Sequence, residues 1–145
     1  LECMKTSMMM QGWMSELEEE KLMEKYGIAP GGIRAKMQNA EWLLYAAKEL
    51  ARMEDIDVEK ELEKVRLRLK HGIEEELLDL VKYDQIGRVR ARKLYDNGVR
   101  SREDIRETSF EKLKKLIGKR TAEKLKKQVG QENIFDRENI MDYFE

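Results

Sequence analysis

The stretch Ile86-Gly87-Arg88-Val89-Arg90-Ala91-Arg92-Lys93-Leu94 decides the fold of this chain, because a second version of it follows. Thirty-one residues further on, the chain reads Ile117-Gly118-Lys119-Arg120-Thr121-Ala122-Glu123-Lys124-Leu125. Both copies have an aliphatic residue, a glycine and a basic residue, then alanine and Lys-Leu at the same offsets. The duplication predicts two similar helices, each entered through a glycine turn.

Each glycine stands directly ahead of a predicted helix, where it allows a tight turn and leaves the first backbone amides unpaired. Those amides lie at the positive end of the helix dipole and suit a phosphate oxygen. Four residues after each glycine, Ala91 and Ala122 allow another helix to pack closely. The spacing therefore predicts a helix-hairpin-helix pair, which holds nucleic-acid backbone without reading bases.

The composition favours helices throughout. Of the 145 residues, 41% are apolar and 41% are charged, and only one is proline. No stretch alternates apolar and polar residues as a half-buried strand would. We predict an all-α protein, with a helical bundle followed by a helix-hairpin-helix domain.

The charge is unevenly distributed, although the net charge is only −1. Residues 1–81 carry 12 basic and 18 acidic side chains, residues 82–130 carry 16 and 7, and residues 131–145 carry 1 and 5. The segment charges are −6, +9 and −4. Because the positive charge coincides with the duplicated element, it indicates a phosphate-binding surface rather than an uneven solvated one.

The single cysteine, Cys3, has no internal disulfide partner and is typical of a reducing, intracellular protein. The run Met8-Met9-Met10 lies in an apolar stretch too short to span a membrane. The chain starts without methionine inside a predicted helix, so we expect it to be a piece of something longer.

Apolar periodicity predicts the helix boundaries. Ser101 with Asp104, and Thr108 with Glu111, have the spacing of capping boxes. Gly130 is expected to end the last helix. The predicted helices are 4–15, 16–26, 31–53, 58–71, 74–82, 88–97, a short one that begins after Ser101, 110–117 and 119–129.

The longest predicted helix has a tryptophan outside its apolar stripe. At about 100° per residue, Trp42 points nearly opposite that stripe. A tryptophan there is either packed by another element or open as a stacking platform. The stripe comprises Ile33, Met37, Ala40, Leu43, Leu44, Ala47, Leu50 and Ala51.

The acidic tail, 131–145, contains more aromatic residues than a solvating tail needs. It either folds back on the body or docks in a partner's groove. Ile140, Tyr143 and Phe144 are spaced like a sliding-clamp-binding peptide, but the leading glutamine of that motif falls at Arg137.

Catalytic and metal-binding patterns are missing. No phosphate-binding loop of the Walker type, acidic metal box or nucleophile–base pair is present. His71, the only histidine, has no neighbours at metal-ligand spacing. A helix-hairpin-helix glycosylase or lyase is the enzymatic alternative, but it needs a catalytic Lys or Asp beside a base-sized pocket.

Four collinear blocks together resemble the C-terminal part of the archaeal Hjm/Hel-type DNA helicase. That family is a superfamily 2 repair helicase, related to human helicase Q and to the helicase part of polymerase theta. The resemblance extends to about Gly130 and leaves out the tail. The blocks are Lys25-Tyr26-Gly27-Ile28-Ala29-Pro30-Gly31, Ala40-Glu41-Trp42-Leu43-Leu44-Tyr45-Ala46, Lys70-His71-Gly72-Ile73-Glu74-Glu75-Glu76-Leu77-Leu78 and Ile86 to Tyr95.

The resemblance implies a helical ratchet domain over residues 1–73 and a helix-hairpin-helix DNA-binding domain over residues 74–130. It further implies that Trp42 stacks on a base of the translocating strand. The family arginine seven residues earlier is Ala35 here, so Arg34 or Lys36 is expected to take the phosphate contact. Relatives often have glycine at the position of Gln85.

We expect the backbone amides near Gly87 to hold a phosphate. Arg88 and Arg92 are expected to act together, four residues apart, with Arg90 in a different role such as an interdomain contact. Lys93 adds charge. The second copy supplies a weaker set, Gly118, Lys119, Arg120 and Lys124.

The resulting expectation is a DNA-binding part of an ATP-dependent 3′→5′ helicase that acts on stalled or branched forks. ATP and Mg²⁺ would bind in absent motor domains, with no cofactor and no catalytic residue in this chain. Expected partners are single-stranded and forked DNA and those motor domains, in the cytoplasm at the nucleoid. The alternative is an interaction module that recruits a single-strand-binding protein or a sliding clamp through the tail.

Overall fold

A computed structural model describes the backbone of residues 2–141 and the side chains of residues 2–130. Within this part the chain forms helices and turns without a strand, which confirms the all-α prediction. The chain divides after Leu78 into two compact units. A 3-10 turn, Glu75–Leu77, follows α4. The helices are α1 Glu2–Met14, α2 Glu19–Tyr26, α3 Pro30–Met53, α4 Glu59–His71, α5 Leu78–Val81, α6 Arg88–Asp96, α7 Arg102–Glu107, α8 Phe110–Ile117 and α9 Lys119–Met141.

The first unit is held together by α3, which packs along α4. Burying large aliphatic side chains is the main stabilising term in such a small bundle. The exposed face of α3 is therefore held on a fixed support. The buried core residues of this unit are Met9, Leu22, Ile33, Met37 and Leu69.

Trp13 closes the C-terminal end of α4. Its indole Nε1 donates a hydrogen bond of 2.7 Å to the carbonyl oxygen of Leu69, one of the carbonyls that a helix end leaves without an intrahelical partner. Gly72 follows α4 in the left-handed conformation, with φ of 65°, and its N–H donates to Arg68 O at 2.8 Å. The indole lies against Gly72, so this tryptophan has a packing role.

Several apolar positions predicted to face the core are exposed. Leu43 and Leu50 of α3 are each 61% exposed, because α4 covers a narrower face of α3 than the apolar stripe predicts. Elsewhere in this unit, the apolar side chains of Met4, Met8, Val58 and Val65 are exposed as well. Spacing identifies an apolar face but does not say how much of it a neighbouring helix covers.

In the second unit the duplicated alanines are fully buried. Ala91 of α6 and Ala122 of α9 both have no exposed surface, as close helix packing requires. Helix α8 packs against both α6 and α9. The buried aliphatic residues around them are Leu80, Leu94, Val99, Ile105, Leu113, Leu125 and Val129.

Of the two predicted capping boxes, one is confirmed. Ser101 Oγ accepts from Asp104 N at 3.2 Å, and Asp104 Oδ2 accepts from Ser101 N at 2.9 Å. The prediction at Thr108 is wrong. Ser109 caps α8 by accepting from Lys112 N at 3.3 Å. Thr108 instead donates its hydroxyl to the carbonyl oxygen of Asp104 at the end of α7.

Three of the predicted helices differ from the observed ones by more than two residues. Glu16 has φ of 62°, so α2 begins only at Glu19. The helix expected over residues 74–82 is a 3-10 turn followed by the four-residue α5. Helix α9 continues through Gly130 to Met141. A single glycine inside a helix costs about 1 kcal/mol, which does not force a helix to end.

Candidate nucleic-acid interface

Two aromatic side chains lie exposed on one face of α3. Trp42 is 68% exposed and Tyr45, one turn further along, is 49% exposed. Residues three apart on a helix are neighbours on its surface, so the two rings stand side by side. The sequence left two interpretations of Trp42: a side chain packed by another element, or an exposed stacking platform. Its exposure agrees with the stacking platform.

A cleft of about 220 Å³ lies beside these rings. It is lined by Trp42, Tyr45, Gln38 and Glu41 of α3 and by Arg66 of α4. An ion-pair network supports it. Arg66 donates to Glu41 at 2.9 Å and to Glu63 at 2.7 Å, and Lys48 donates to Glu63 at 2.8 Å.

The network changes the acidity of one of its members. Hydrogen bonds from Arg66 and then Lys48 lower the pKa of Glu63 to about 2. The carboxylate of Glu63 therefore stays charged at any ordinary pH. The two charged residues that line the cleft, Glu41 and Arg66, form an ion pair, so the lining carries no net charge.

A second depression, of about 440 Å³, adjoins the cleft because Gln38 and Glu41 line both. Its charged lining residues are the basic Arg34 of α3 and Lys70 of α4 and the acidic Glu19 of α2 and Glu41 of α3. Lys36 is exposed but lines neither depression, and on the helix it points about 120° away from Trp42. Of the two residues proposed to replace the family arginine, Arg34 is the one that adjoins the cleft.

In the second unit both glycine turns border one depression of about 590 Å³. Gly87 and the first residues of α6 form one side, and Leu116, Ile117 and Gly118 form the other. Val89, between the arginines of α6, is 66% exposed there. The duplication thus brings its two copies to one shared surface.

The two glycines reach this surface with different backbone conformations. Gly118 has φ of 86°, a positive value that glycine adopts more easily than other residues. Gly87 has φ of −95°, which any residue can adopt. In the first copy the left-handed residue is Gln85, with φ of 65°. Apart from the adjoining residues of the chain, no atom lies within 4 Å of the place a Cβ at Gly87 would occupy, so this glycine leaves open space in front of α6.

The basic residues of α6 are grouped differently from the expected pairing of Arg88 with Arg92. The depression is lined by Arg88, Arg90 and Lys93. Arg90 Nη1 donates to the carbonyl oxygen of Gln85 at 2.8 Å, which draws it toward the hairpin. Arg92 instead forms an ion pair of 3.6 Å with Asp96.

The basic residues of the second copy lie outside the depression. Lys119 and Arg120 are exposed on the first turn of α9. Lys124 Nζ is 3.7 Å from the carboxylate of Asp84, in the hairpin of the first copy. Asp84 N also donates to Gln128 Oε1 of α9 at 3.0 Å, so α9 holds this hairpin in position.

The remaining observations concern the tail, His71, and the metal-binding and membrane-spanning patterns. The proposed partner-binding residues Ile140, Tyr143 and Phe144 lie outside the residues whose side chains are described. Burial, with a smaller contribution from Lys70, lowers the pKa of His71. Among the described residues, no three His, Cys, Asp or Glu side chains are grouped as metal ligands, and no helix is long and apolar enough to cross a membrane.

Sequence reasoning missed three residues of the α3 surface. Tyr45 and Gln38 lie within one turn of Trp42, so helical spacing was a usable signal for both. Lys70 is 36 positions after Arg34, and only the packing of α4 on α3 brings them to one depression. No local pattern contains that information.

Comparison with known proteins agrees with this architecture. A family model for archaeal helicase, domain 4, matches residues 1–72, and one for a SAM-like helix-hairpin-helix tandem matches residues 74–130. The fold and its two surfaces therefore define the helical and helix-hairpin-helix part of a helicase.

Three of the relatives that match this chain have the same name. The chain is 41% identical over 118 residues to the ATP-dependent DNA helicase Hel308 of Thermoplasma acidophilum. It is 39% identical over 132 residues to that of Methanocaldococcus jannaschii and 36% over 151 to that of Pyrococcus horikoshii. These matches cover 81%, 90% and 99% of this chain. The chain belongs to the archaeal Hel308-type helicase family, and the matches span 18%, 11% and 21% of those relatives.

Proposed function

We propose that this chain is the DNA-binding part of an ATP-dependent 3′→5′ DNA helicase that acts on stalled or branched replication forks in repair. Its task is to guide and clamp the translocating single strand. The observation that carries the proposal is the exposed indole of Trp42 on α3, inside the segment that matches archaeal helicase domain 4. A large aromatic side chain that is 68% exposed has no packing role of its own.

In the first unit, Trp42 stacks on one base of the strand. Stacking on an aromatic ring contributes about 1–3 kcal/mol per base and tolerates any sequence, as a translocating helicase requires. Arg34, rather than Lys36, contacts a neighbouring phosphate, because only Arg34 lines the depression that adjoins the cleft beside Trp42. Lys70 adds a second positive charge on the same side.

In the second unit, the amides at the start of α6 hold a backbone phosphate in the open space before Gly87. Arg88, Arg90 and Lys93 around the depression supply the attractive charge. Arg92, Gly118, Lys119 and Arg120 are secondary. Contacts of this kind position a strand without reading its sequence.

The remaining partners follow from the same proposal. Motor domains of the helicase, in the length of the relatives that this chain does not match, would bind ATP and Mg²⁺ and associate with these two units. The protein would then work on the DNA of the nucleoid, in the cytoplasm.

The decisive experiment is a fluorescence titration with a 3′-tailed fork. The chain and its Trp42→Phe variant are compared, and their difference reports Trp42 alone. Trp13 is retained, because its hydrogen bond to Leu69 supports the end of α4. We expect quenching that is lost in the variant, together with weaker binding. Fork binding without any signal from Trp42 would contradict the assignment of this residue.

The same protein tests the tail. If DNA binding is absent at low salt and residues 131–145 alone are needed to capture a single-strand-binding protein or a sliding clamp, the chain is an interaction module. Deletion of those residues is the matched comparison. The sequence spacing of Ile140, Tyr143 and Phe144 identifies them as the residues to replace first.

A further inference from the structure

Tyr45 is a second exposed aromatic residue whose position packing does not explain. It lies one helical turn from Trp42 and is 49% exposed. Lys48 Nζ is 5.5 Å from the centroid of its ring, which orients the ring on the surface. Exposed aromatic side chains one turn apart make a surface suited to planar ligands.

The cleft between these rings and α4 has the size of one heterocycle. Its volume is about 220 Å³. An apolar cavity of roughly 150 Å³ accepts benzene, whereas pockets for drug-sized molecules start at roughly 300 Å³. The cleft therefore has room for a single nucleobase.

The charge of the cleft selects an uncharged group. Arg66 is engaged by Glu41 and Glu63, and Lys48 by Glu63, so a phosphate finds no free cation there. Gln38 also lines the cleft, and its side-chain amide has no hydrogen-bond partner within residues 2–130. An amide both donates and accepts, so it can pair with the edge of any base.

We propose that this cleft binds a second nucleobase of the same strand, next to the base on Trp42. The base packs against the ring of Tyr45, and Gln38 hydrogen-bonds to its edge. The ion-pair network of Glu41, Arg66, Glu63 and Lys48 holds the walls at a fixed separation. This inference rests on the proposed function, since it assigns two bases to the α3 surface instead of one.

The test uses the full chain and a fluorescein-labelled oligodeoxynucleotide, with binding followed by anisotropy at low salt. We expect Tyr45→Ala to weaken binding about five- to a hundredfold. Tyr45→Phe, which keeps the ring, should stay within about twofold of the unchanged chain. Leu43→Ala is the matched control, because it removes another exposed apolar side chain of α3 outside the cleft. It should leave binding unchanged.

An oligonucleotide of abasic residues provides the second arm. Since it has phosphates but no bases, Tyr45→Ala and Trp42→Ala should both bind it as the unchanged chain does. A Tyr45→Trp variant in a Trp42→Phe background guards against misfolding, because its added indole should be quenched by normal DNA and not by the abasic strand.

The outcomes separate the two proposals. If Trp42→Ala weakens binding and Tyr45→Ala does not, the cleft is not a base site while the proposed function stands. If neither variant changes binding to normal DNA, the α3 surface does not bind the strand, and the proposed function fails there as well. If Tyr45→Ala weakens abasic binding equally, the effect is structural and the base site is excluded.

Discussion

At the scale of single residues, the glycines of this chain have different physical reasons to be glycine. Gly72 needs its left-handed conformation and also has no room for a side chain, because a Cβ there would lie 2.6 Å from Trp13 Cε2. Gly87 needs neither, since its conformation is ordinary and its surroundings are open. Folding therefore requires glycine at position 72. At position 87 nothing in the fold requires it, which points to a role in binding.

We predict that Gly72→Ala lowers the free energy of unfolding of the first unit by at least about 2 kcal/mol, from backbone strain and the clash with Trp13. Urea unfolding followed by circular dichroism measures it. Gly31→Ala is the control, because no atom lies within 4 Å of its Cβ position and alanine favours the helix. Equal stability of both variants would contradict the role of Gly72.

At Gly87 we predict that a substitution can weaken DNA binding without lowering the stability of the fold. In Gly87→Asp, the carboxylate caps α6 and occupies the amides proposed to hold phosphate, so DNA binding should fall tenfold or more while the melting temperature is kept or raised. Ser109→Asp is the matched control. It places the same charge at the N-cap of α8 and should have a small effect on binding. Equal losses in both would indicate simple charge repulsion.

At the scale of elements, the pairing of α3 with α4 depends on a shared carboxylate as well as on apolar contact. Glu63 accepts hydrogen bonds from Lys48 across the helix pair and from Arg66 on its own helix, and Arg66 reaches back to Glu41. Two of its members, Glu41 and Arg66, line the proposed cleft. Its loss should therefore affect the stability of the pair and the shape of the surface together.

We predict that Glu63→Gln lowers the free energy of unfolding by about 1 kcal/mol near pH 7. The folded-state pKa of about 2 is below the ordinary 4.5, so the stabilisation is complete above pH 4.5 and is lost as the pH falls toward 2. The difference between the two proteins in urea unfolding should thus be smaller at pH 3 than at pH 6.

Glu61→Gln is the control on the same helix. Its carboxylate is 75% exposed, and its pair with Lys64 has a 3.4 Å separation. We expect a change below about 0.5 kcal/mol. A difference for Glu63→Gln that stays constant from pH 6 to pH 3 would mean that its charge does not stabilise the helix pair.

At the scale of the whole molecule, the two proposed contacts with a strand differ in physical kind. The first unit offers aromatic rings beside an ion-paired cleft, and the second offers basic side chains around the start of α6. Salt screens the second kind of contact and leaves stacking largely unaffected. The salt dependence of binding therefore distinguishes them in one protein.

We predict that Trp42→Ala lowers the affinity for single-stranded DNA at every salt concentration without changing the slope of log K against log salt. Lys93→Gln should reduce that slope by about 0.7, the value for one phosphate contact on a single strand. Lys112→Gln is the charge-matched control, since Lys112 donates to Asn97 O outside the depression. Equal slope changes for both lysines would indicate only a general effect of net charge.

The sequence by itself determined the helical class, the duplicated turn, the buried Ala91 and Ala122, the cap at Ser101 and the anomalous place of Trp42. These follow from local geometry: helical period, the offset of a glycine from a helix, and the reach of a serine to the third amide. Each involves residues only a few positions apart.

Only the tertiary structure decided which apolar residues of α3 are covered, which arginines share a surface, and that Lys70 joins Arg34. The same reason explains why some residues lie elsewhere than the helical pattern suggests. Leu43 and Leu50 are exposed because coverage depends on α4, and Arg92 is drawn to Asp96 while Arg90 is drawn to the hairpin. Coverage by another helix is set by contacts between distant segments, about which helical spacing holds no information. Where several partners lie on the same helix or in the adjoining turn, spacing permits more than one contact and does not say which of them forms.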